Sequence, residues 1–324
     1  MTQLAALVCA AGLALLTVAT SSPAQQPYPT KPVRFIVPFP PGGSTDPMAR
    51  MAGGKLAERL GQPVVVDNRP GASGIVGTEV VAKAPPDGYT ILLGSSPFAI
   101  NAALVRKLPY DPIRDFDPVA TIARSRQILV LHPSVPASSL REFIALARSR
   151  PGQFHYATSG TGNLNHLAGE LFNIMAAVKM NHVPYKGGAP AITDVLGAQV
   201  ELTFQVPISV IAHIASGKLK PIAITGETRV GTLPHVPTFA EAGLPGYELS
   251  GWTGILAPAG APRPVIERIS AEMGRILALP EIRDSLVKQG MEPFASSPQQ
   301  FAAKIKADIA KFGAIIKTAG IKLE

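Results

Sequence analysis

Cysteine is nearly absent: among 324 residues the only one is Cys9, inside an N-terminal apolar run. Ala6-Leu7-Val8 ahead of it make a poor lipoprotein acylation site, because Val8 is bulky. Without that run the chain has no thiol at all, which excludes disulfides, thiol nucleophiles and thiolate metal ligands. The six histidines (132, 155, 166, 182, 213 and 235) show no H-E-x-x-H or other ligand spacing, so no metal is expected. No G-x-S-x-G elbow is present, and the serines of the glycine-rich loops have no base evident beside them, so no catalytic residue is expected. Gly160-Thr161-Gly162 begins like a dinucleotide fingerprint, but Asn165 stands where the third glycine belongs. Pro41 to Pro47 lacks the Gly-Lys-Ser/Thr ending of a P-loop, and no cofactor is expected. Charged residues are only 16% and aromatics 6%. Lys and Arg are scattered despite the net charge of +8, which argues against a nucleic-acid partner and for a solvated surface that modestly steers anions.

What is present is a folded composition, 46% hydrophobic, in a chain longer than one core usually organises. Two domains or one large α/β unit follow as expectations. The 32 prolines and 30 glycines punctuate short periodic segments, and there is no low-complexity tract or internal repeat. Leu4 to Val18 is an apolar run followed by Ser22-Pro23-Ala24, which fits an export signal cleaved after Ala24 and is too short to read as a membrane span. No Lys or Arg precedes Lys31, an absence that would fit a true start further upstream.

The most telling stretch is Phe39-Pro40-Pro41-Gly42-Gly43-Ser44-Thr45-Asp46-Pro47. Val33 to Val37 before it is a β-branched and aromatic strand. Asp46 reads as a helix N-cap with Pro47 in the first turn, Ala49, Ala52, Leu56 and Leu60 share one helix face, and Gly61 ends it. A loop delivering backbone to a helix N-terminus favours an anion, since the first N–H groups are unpartnered and carry the positive end of the peptide dipoles. Gly42 and Gly43 would admit a ligand to the backbone, while Ser44 and Thr45 add hydroxyl donors. An ordinary capped βα turn is written with the same residues. A second segment repeats the grammar: the strand Phe154 to Ala157, the loop Thr158-Ser159-Gly160-Thr161-Gly162, and a helix from Asn163. Two such loops in different halves would close on one anion, a carboxylate being the obvious candidate.

Strands alternate with helices along the chain, which indicates parallel pairing with helices on the sheet faces and ligands beyond the carboxyl ends of strands. Gly94-Ser95-Ser96 lies at such an end. Pro63 to Asp67 reads as a buried strand, and Asp117 to Ala123 as the link into a second unit. Ser139 with Glu142, and Ser297 with Gln300, read as capping boxes. Leu249 to Ala257 should re-enter the first unit, and Phe301, Ile305, Ile309, Phe312 and Ile316 form a long docking stripe. His166, on the helix from Asn163, is expected to cap or brace that helix.

The ordered stretches Tyr28-Pro29-Thr30-Lys31-Pro32, Asn68-Arg69-Pro70-Gly71-Ala72, Ala84-Pro85-Pro86-Asp87-Gly88-Tyr89-Thr90, Leu108-Pro109-Tyr110-Asp111-Pro112, His182-Val183-Pro184-Tyr185-Lys186-Gly187, Pro237-Thr238-Phe239-Ala240-Glu241-Ala242-Gly243 and Ala257-Pro258-Ala259-Gly260-Ala261-Pro262, with the Pro-Gly-Gly loop, resemble the Bug (TctC-like) solute-binding proteins of tripartite tricarboxylate transporters over essentially the whole mature chain. The resemblance implies a two-lobed α/β fold of the type II periplasmic-binding-protein kind, each lobe a mixed, mostly parallel sheet flanked by helices. It places residues 25–124 and 250–324 in lobe 1 and 125–249 in lobe 2, after a signal peptide over 1–24. It implies a monomeric periplasmic receptor, not an enzyme, that hands a small organic carboxylate to permease subunits. A secreted α/β enzyme acting on such an acid is the alternative. The implied ligand contacts are the Pro-Gly-Gly loop (Pro41, Gly42, Gly43, Ser44 and Asp46) and its counterpart Ser159, Gly160, Thr161 and Asn163, flanked by Ser95 and Ser96. Gln205 stands where the family often has an acidic residue, which leaves the chemistry at the ligand's far end open.

Overall fold

The computed structural model describes residues 28–41 and 45–322. The expected signal peptide and the residues Gly42, Gly43 and Ser44 fall outside them. Eleven strands form two sheets. The first holds β1 (Val33–Val37), β2 (Val64–Asn68), β3 (Thr90–Ser95), β4 (Phe116–Ser125), β10 (Gly251–Pro258) and β11 (Glu292–Pro293), in the order β11-β4-β10-β3-β1-β2. The second holds β5 (Ile128–Leu131), β6 (Phe154–Thr158), β7 (Met180–Pro184), β8 (Leu202–Gln205) and β9 (Lys220–Ile224), in the order β7-β6-β8-β5-β9. Both sheets are mixed. β1 runs parallel to β2 and β3, and β6 to β7 and β8. The antiparallel share is larger than strand–helix alternation alone suggests, because β4, β10 and β11, and then β5 with β8 and β9, pair in opposite directions.

The helices are α1 (Asp46–Leu60), α2 (Ile75–Ala82), α3 (Ser96–Leu104), α4 (Leu140–Ser149), α5 (Leu164–Ala176), α6 (Gly188–Leu196), α7 (Pro207–Ala215), α8 (Arg263–Ala278), α9 (Pro280–Lys288) and α10 (Pro298–Ala319). They cover both faces of each sheet, which is why the central strands read as unbroken apolar runs. Successive residues serve opposite cores: Phe35, Ile91 and Ile255 pack with α1 and α8, while Ile36, Leu92 and Leu256 face the other side with α3 and α10. That second core is continuous with the one formed by Leu129, Phe143 and Phe172 of the second sheet, and α10 packs against α3, β4 and α5.

Several local expectations need correction. β2 is an edge strand and only half buried, with Val65 52% exposed, so its valines reflect β-propensity more than a core position. Asp117 to Ala123 is not a link but the middle of β4; the crossing occurs at Arg126-Gln127. Asp46 is already helical, and Thr45 is the flanking residue with no side-chain cap. The Ser139 hydroxyl does accept from the Glu142 N–H, but the Glu142 carboxylate reaches the N–H of Ser138, one residue before the cap. At the other box Ser297 and Gln300 bond reciprocally, as expected.

Candidate functional site

The carboxyl ends of β1, β3, β6 and β8 face one another across the crossing strands and enclose a cleft of about 500 Å³. Phe39, Thr45, Ser95 and Ser96 line it from the first sheet, with Trp252 and Thr253 of β10, and Ser159, Asn163, Asn165 and Gln205 from the second; Gln127 comes from the crossing. Five helices begin here. Thr45 flanks α1, Ser96 and Pro97 open α3, Asn163 to Asn165 open α5, Gly188 opens α6, and Val206 and Ser209 belong to the first turn of α7. None of these five starts carries a side-chain cap. The cleft therefore gathers positive dipole ends and first-turn N–H groups, except at α7, where Pro207 has no N–H and that of Ser209 is bonded to the Val206 carbonyl at 3.0 Å. Among the described residues, not one that lines the cleft is Asp, Glu, Lys, Arg or His. A surface with this potential and no charged side chain is suited to receive an anion through hydrogen bonds rather than ion pairs.

Of the residues expected from the sequence, Ser95, Ser96, Ser159, Asn163 and Gln205 line the cleft. Pro41 is exposed and lies outside the lining, although its neighbours Phe39 and Pro40 belong to it. Gly160, at φ 132°, makes the left-handed turn of the second loop, and Thr161 is exposed; neither lines the cavity. Asp46 is buried and serves the scaffold: its carboxylate accepts from Arg50 Nε at 3.0 Å and from Asn68 Nδ2 at 3.0 Å, tying α1 to the end of β2. Ser96 Oγ accepts the Trp252 N–H at 3.0 Å, binding α3 to β10 across the cleft floor.

The loop from 158 to 165 is braced from within. Ser159 Oγ donates to Asn165 Oδ1 at 3.1 Å, and Asn163 Nδ2 donates to the Ser159 carbonyl at 3.1 Å. The Ser159 proton is thus committed, and the Asn165 amide hydrogens are the donors left for a ligand. Asn165 was visible in the sequence only as the residue replacing a third glycine. Gln127 and Thr253 carried no local signal, because they reach the site through the crossing and through β10.

Beneath this loop His166 and His182 stack with centroids 3.7 Å apart and planes 10° from parallel. His166 Nδ1 accepts the Gly162 N–H at 3.0 Å, and His182 Nε2 bonds Thr158 Oγ1 at 2.6 Å. The expected bracing role of His166 is thereby given atoms. Burial, then the neighbouring His182, push His166 down to about 3, and burial pushes His182 down to about 4, from an ordinary 6.5. The unfolded chain therefore binds protons that the native pair refuses. Stability is fully present above pH 6.5 and falls as pH drops toward the folded values. Thermal denaturation followed from pH 7 to pH 4 is expected to show this loss. His166→Gln, which keeps an acceptor for Gly162 but does not titrate, should make the loss shallower, with the His182 share remaining; an equally steep profile in the variant would assign the acid sensitivity elsewhere.

This geometry agrees with what the chain is similar to. Residues 48–321 match the family model described as tripartite tricarboxylate transporter family receptor. The chain belongs to that receptor family. BugT of Bordetella pertussis is 36% identical to this receptor over 327 residues, spanning 100% of this chain and 99% of that one. The solved structure of Rpa4515 from R. palustris with adipate is 38% identical at a TM-score of 0.77, covering 91% of the receptor and 99% of Rpa4515. The periplasmic binding protein BugD is 33% identical at a TM-score of 0.74, covering 92% of the receptor and 100% of BugD. The two-sheet architecture of the receptor is accordingly that of the two-lobed periplasmic binding proteins.

Proposed function

We propose that this protein is a periplasmic receptor that captures a small organic carboxylate between two lobes, residues 25–124 with 250–324 and residues 125–249, and delivers it to the membrane subunits of a tripartite tricarboxylate-type permease. On this reading residues 1–24 direct export, the receptor acts as a monomer, and it binds without turning its ligand over. The observation that carries it is the convergence of five uncapped helix starts on a cleft lined by neutral side chains. The adipate held by a relative of 38% identity supports the ligand class.

Mono-, di- and tricarboxylates screened by thermal shift, with each binder then followed for chemical change, test this reading. A saturable shift with no product is expected, and steady conversion would establish the enzyme alternative instead. Within the clamp, Ser159→Ala removes the bond that orients the Asn165 amide. A hydrogen bond serving a charged ligand is worth about 1.5–3 kcal/mol, so adipate affinity measured by calorimetry should fall roughly tenfold to hundredfold. Parental affinity in a folded Ser159→Ala protein would remove this loop from the binding site.

A further inference from the structure

The far wall of the cleft says what else the ligand carries. Gln205, at the end of β8, is buried, and its Nε2 donates to Thr203 Oγ1 at 3.1 Å. Thr203 Oγ1 spends its own proton on the Ala157 carbonyl at 2.7 Å. This relay orients the amide: one Nε2 hydrogen is spent inward on Thr203, and Oε1 is turned toward Gly188, 3.5 Å from where a Cβ on that residue would sit. The far end thus offers a neutral amide, with Oε1 as its acceptor, beside the first turn of α6. Neighbouring carboxylates are already engaged: Asp46 by Arg50 and Asn68, and Glu292, next to the lining residue Met291, by Arg124 and Arg126.

An ammonium group entering this cavity would leave water, find no counter-ion in the lining and face positive dipole ends on several sides. A methylene, a hydroxyl or a second carboxylate meets none of those penalties. The hydroxyl can donate to Gln205 Oε1, and the carboxylate can accept from the first N–H groups of α6. We infer that the cleft selects organic acids lacking an amino group, with Gln205 the residue that sets this specificity. The inference rests on the carboxylate reading above and narrows it.

Calorimetry with length-matched pairs, succinate against L-aspartate and glutarate against L-glutamate, tests it on the parental protein and on Gln205→Glu. The parental protein should bind each diacid about a hundredfold tighter than its amino-acid counterpart. Gln205→Glu, which supplies the missing counter-ion, should narrow that ratio at least tenfold by losing diacid affinity and gaining amino-acid affinity. An amino acid binding the parental protein as tightly as its diacid overturns the inference while leaving the carboxylate reading intact, as does an unchanged ratio in the variant. Silence from all four acids overturns the inference, and the carboxylate reading falls with it only if the wider carboxylate screen is silent too. If Gln205→Glu gives no cooperative melt, Gln205→Met decides: it removes the acceptor without adding charge. The malate-to-succinate affinity ratio should then fall about fivefold with both amino acids still rejected; an unchanged ratio or newly bound aspartate counts against Gln205.

Discussion

Trp252→Ala should lower the melting temperature by about 10 °C. The indole is 2% exposed, meets Phe301 edge-on with centroids 4.9 Å apart, and lies 6.4 Å from Phe98. Its Nε1–H donates to Asp308 Oδ2 at 3.0 Å, and Asp308 is itself buried, with Lys304 as its other partner. This one side chain therefore joins β10 in the first sheet, α3 beside it and the long C-terminal helix. Truncation leaves a cavity where three elements meet and takes a donor from a buried carboxylate. Aromatic-to-alanine changes at such sites cost about 3–5 kcal/mol, and each kcal/mol is worth about 2–4 °C in a chain of this class. Trp252→Phe, which keeps most of the ring contact and loses only the Nε1 bond, should melt between the two. Differential scanning calorimetry of all three proteins gives the order, and a Trp252→Ala protein within 2 °C of the parent would show that α10 is not held through this residue.

Gly188→Leu should abolish binding and leave folding alone. Gly188 is the first residue of α6, lines the cleft, and has only Gln205 Oε1 within reach of an added Cβ. Its backbone is not left-handed, unlike that of Gly187 next to it at φ 119°, so a side chain at 188 strains nothing. A leucine there would grow into the space between the two sheets and cover the first N–H groups of α6. The loss of affinity for the carboxylate that the thermal-shift screen selects should exceed a hundredfold, because volume and anion donors disappear together, while the melting temperature of the free protein stays within a few degrees. A variant that binds that carboxylate normally would place the ligand away from this wall.

Much of this architecture is written locally. The β-branched run at 33–37, the stripe Ala49-Ala52-Leu56-Leu60 with Gly61 in the left-handed conformation at φ 73°, and the Ser297–Gln300 box each form where the residues demand, because short-range sterics and capping decide them. Errors came where a neighbour distant in sequence decides. The valines of β2 look like core residues, but no strand pairs on their outer side. Asp46 looks like an N-cap until Arg50 and Asn68 claim its carboxylate. The two glycine-rich loops were legible as strand–loop–helix junctions, and Ser159 and Asn163 of the second line the cleft, while Gly42, Gly43 and Ser44 of the first lie outside the described residues. The relay from Gln205 through Thr203 to Ala157 and the Gly162–His166 bond were not legible, since each depends on which of two polar atoms faces which neighbour.

The position of β10 also bears on how the chain reaches its destination. It lies between β3 and β4, pairing Thr253 with Ser95 and Gly251 with Ser125. The first sheet is therefore left with a gap at its centre until residues 251–258 have been synthesised, and the α10 side of its core stays uncovered for some forty residues more. Ribosome-bound fragments contain both halves of a sheet that cannot yet join. For a protein proposed to cross a membrane as an extended chain, this late keystone postpones stable folding until translocation machinery has had most of the polypeptide to engage.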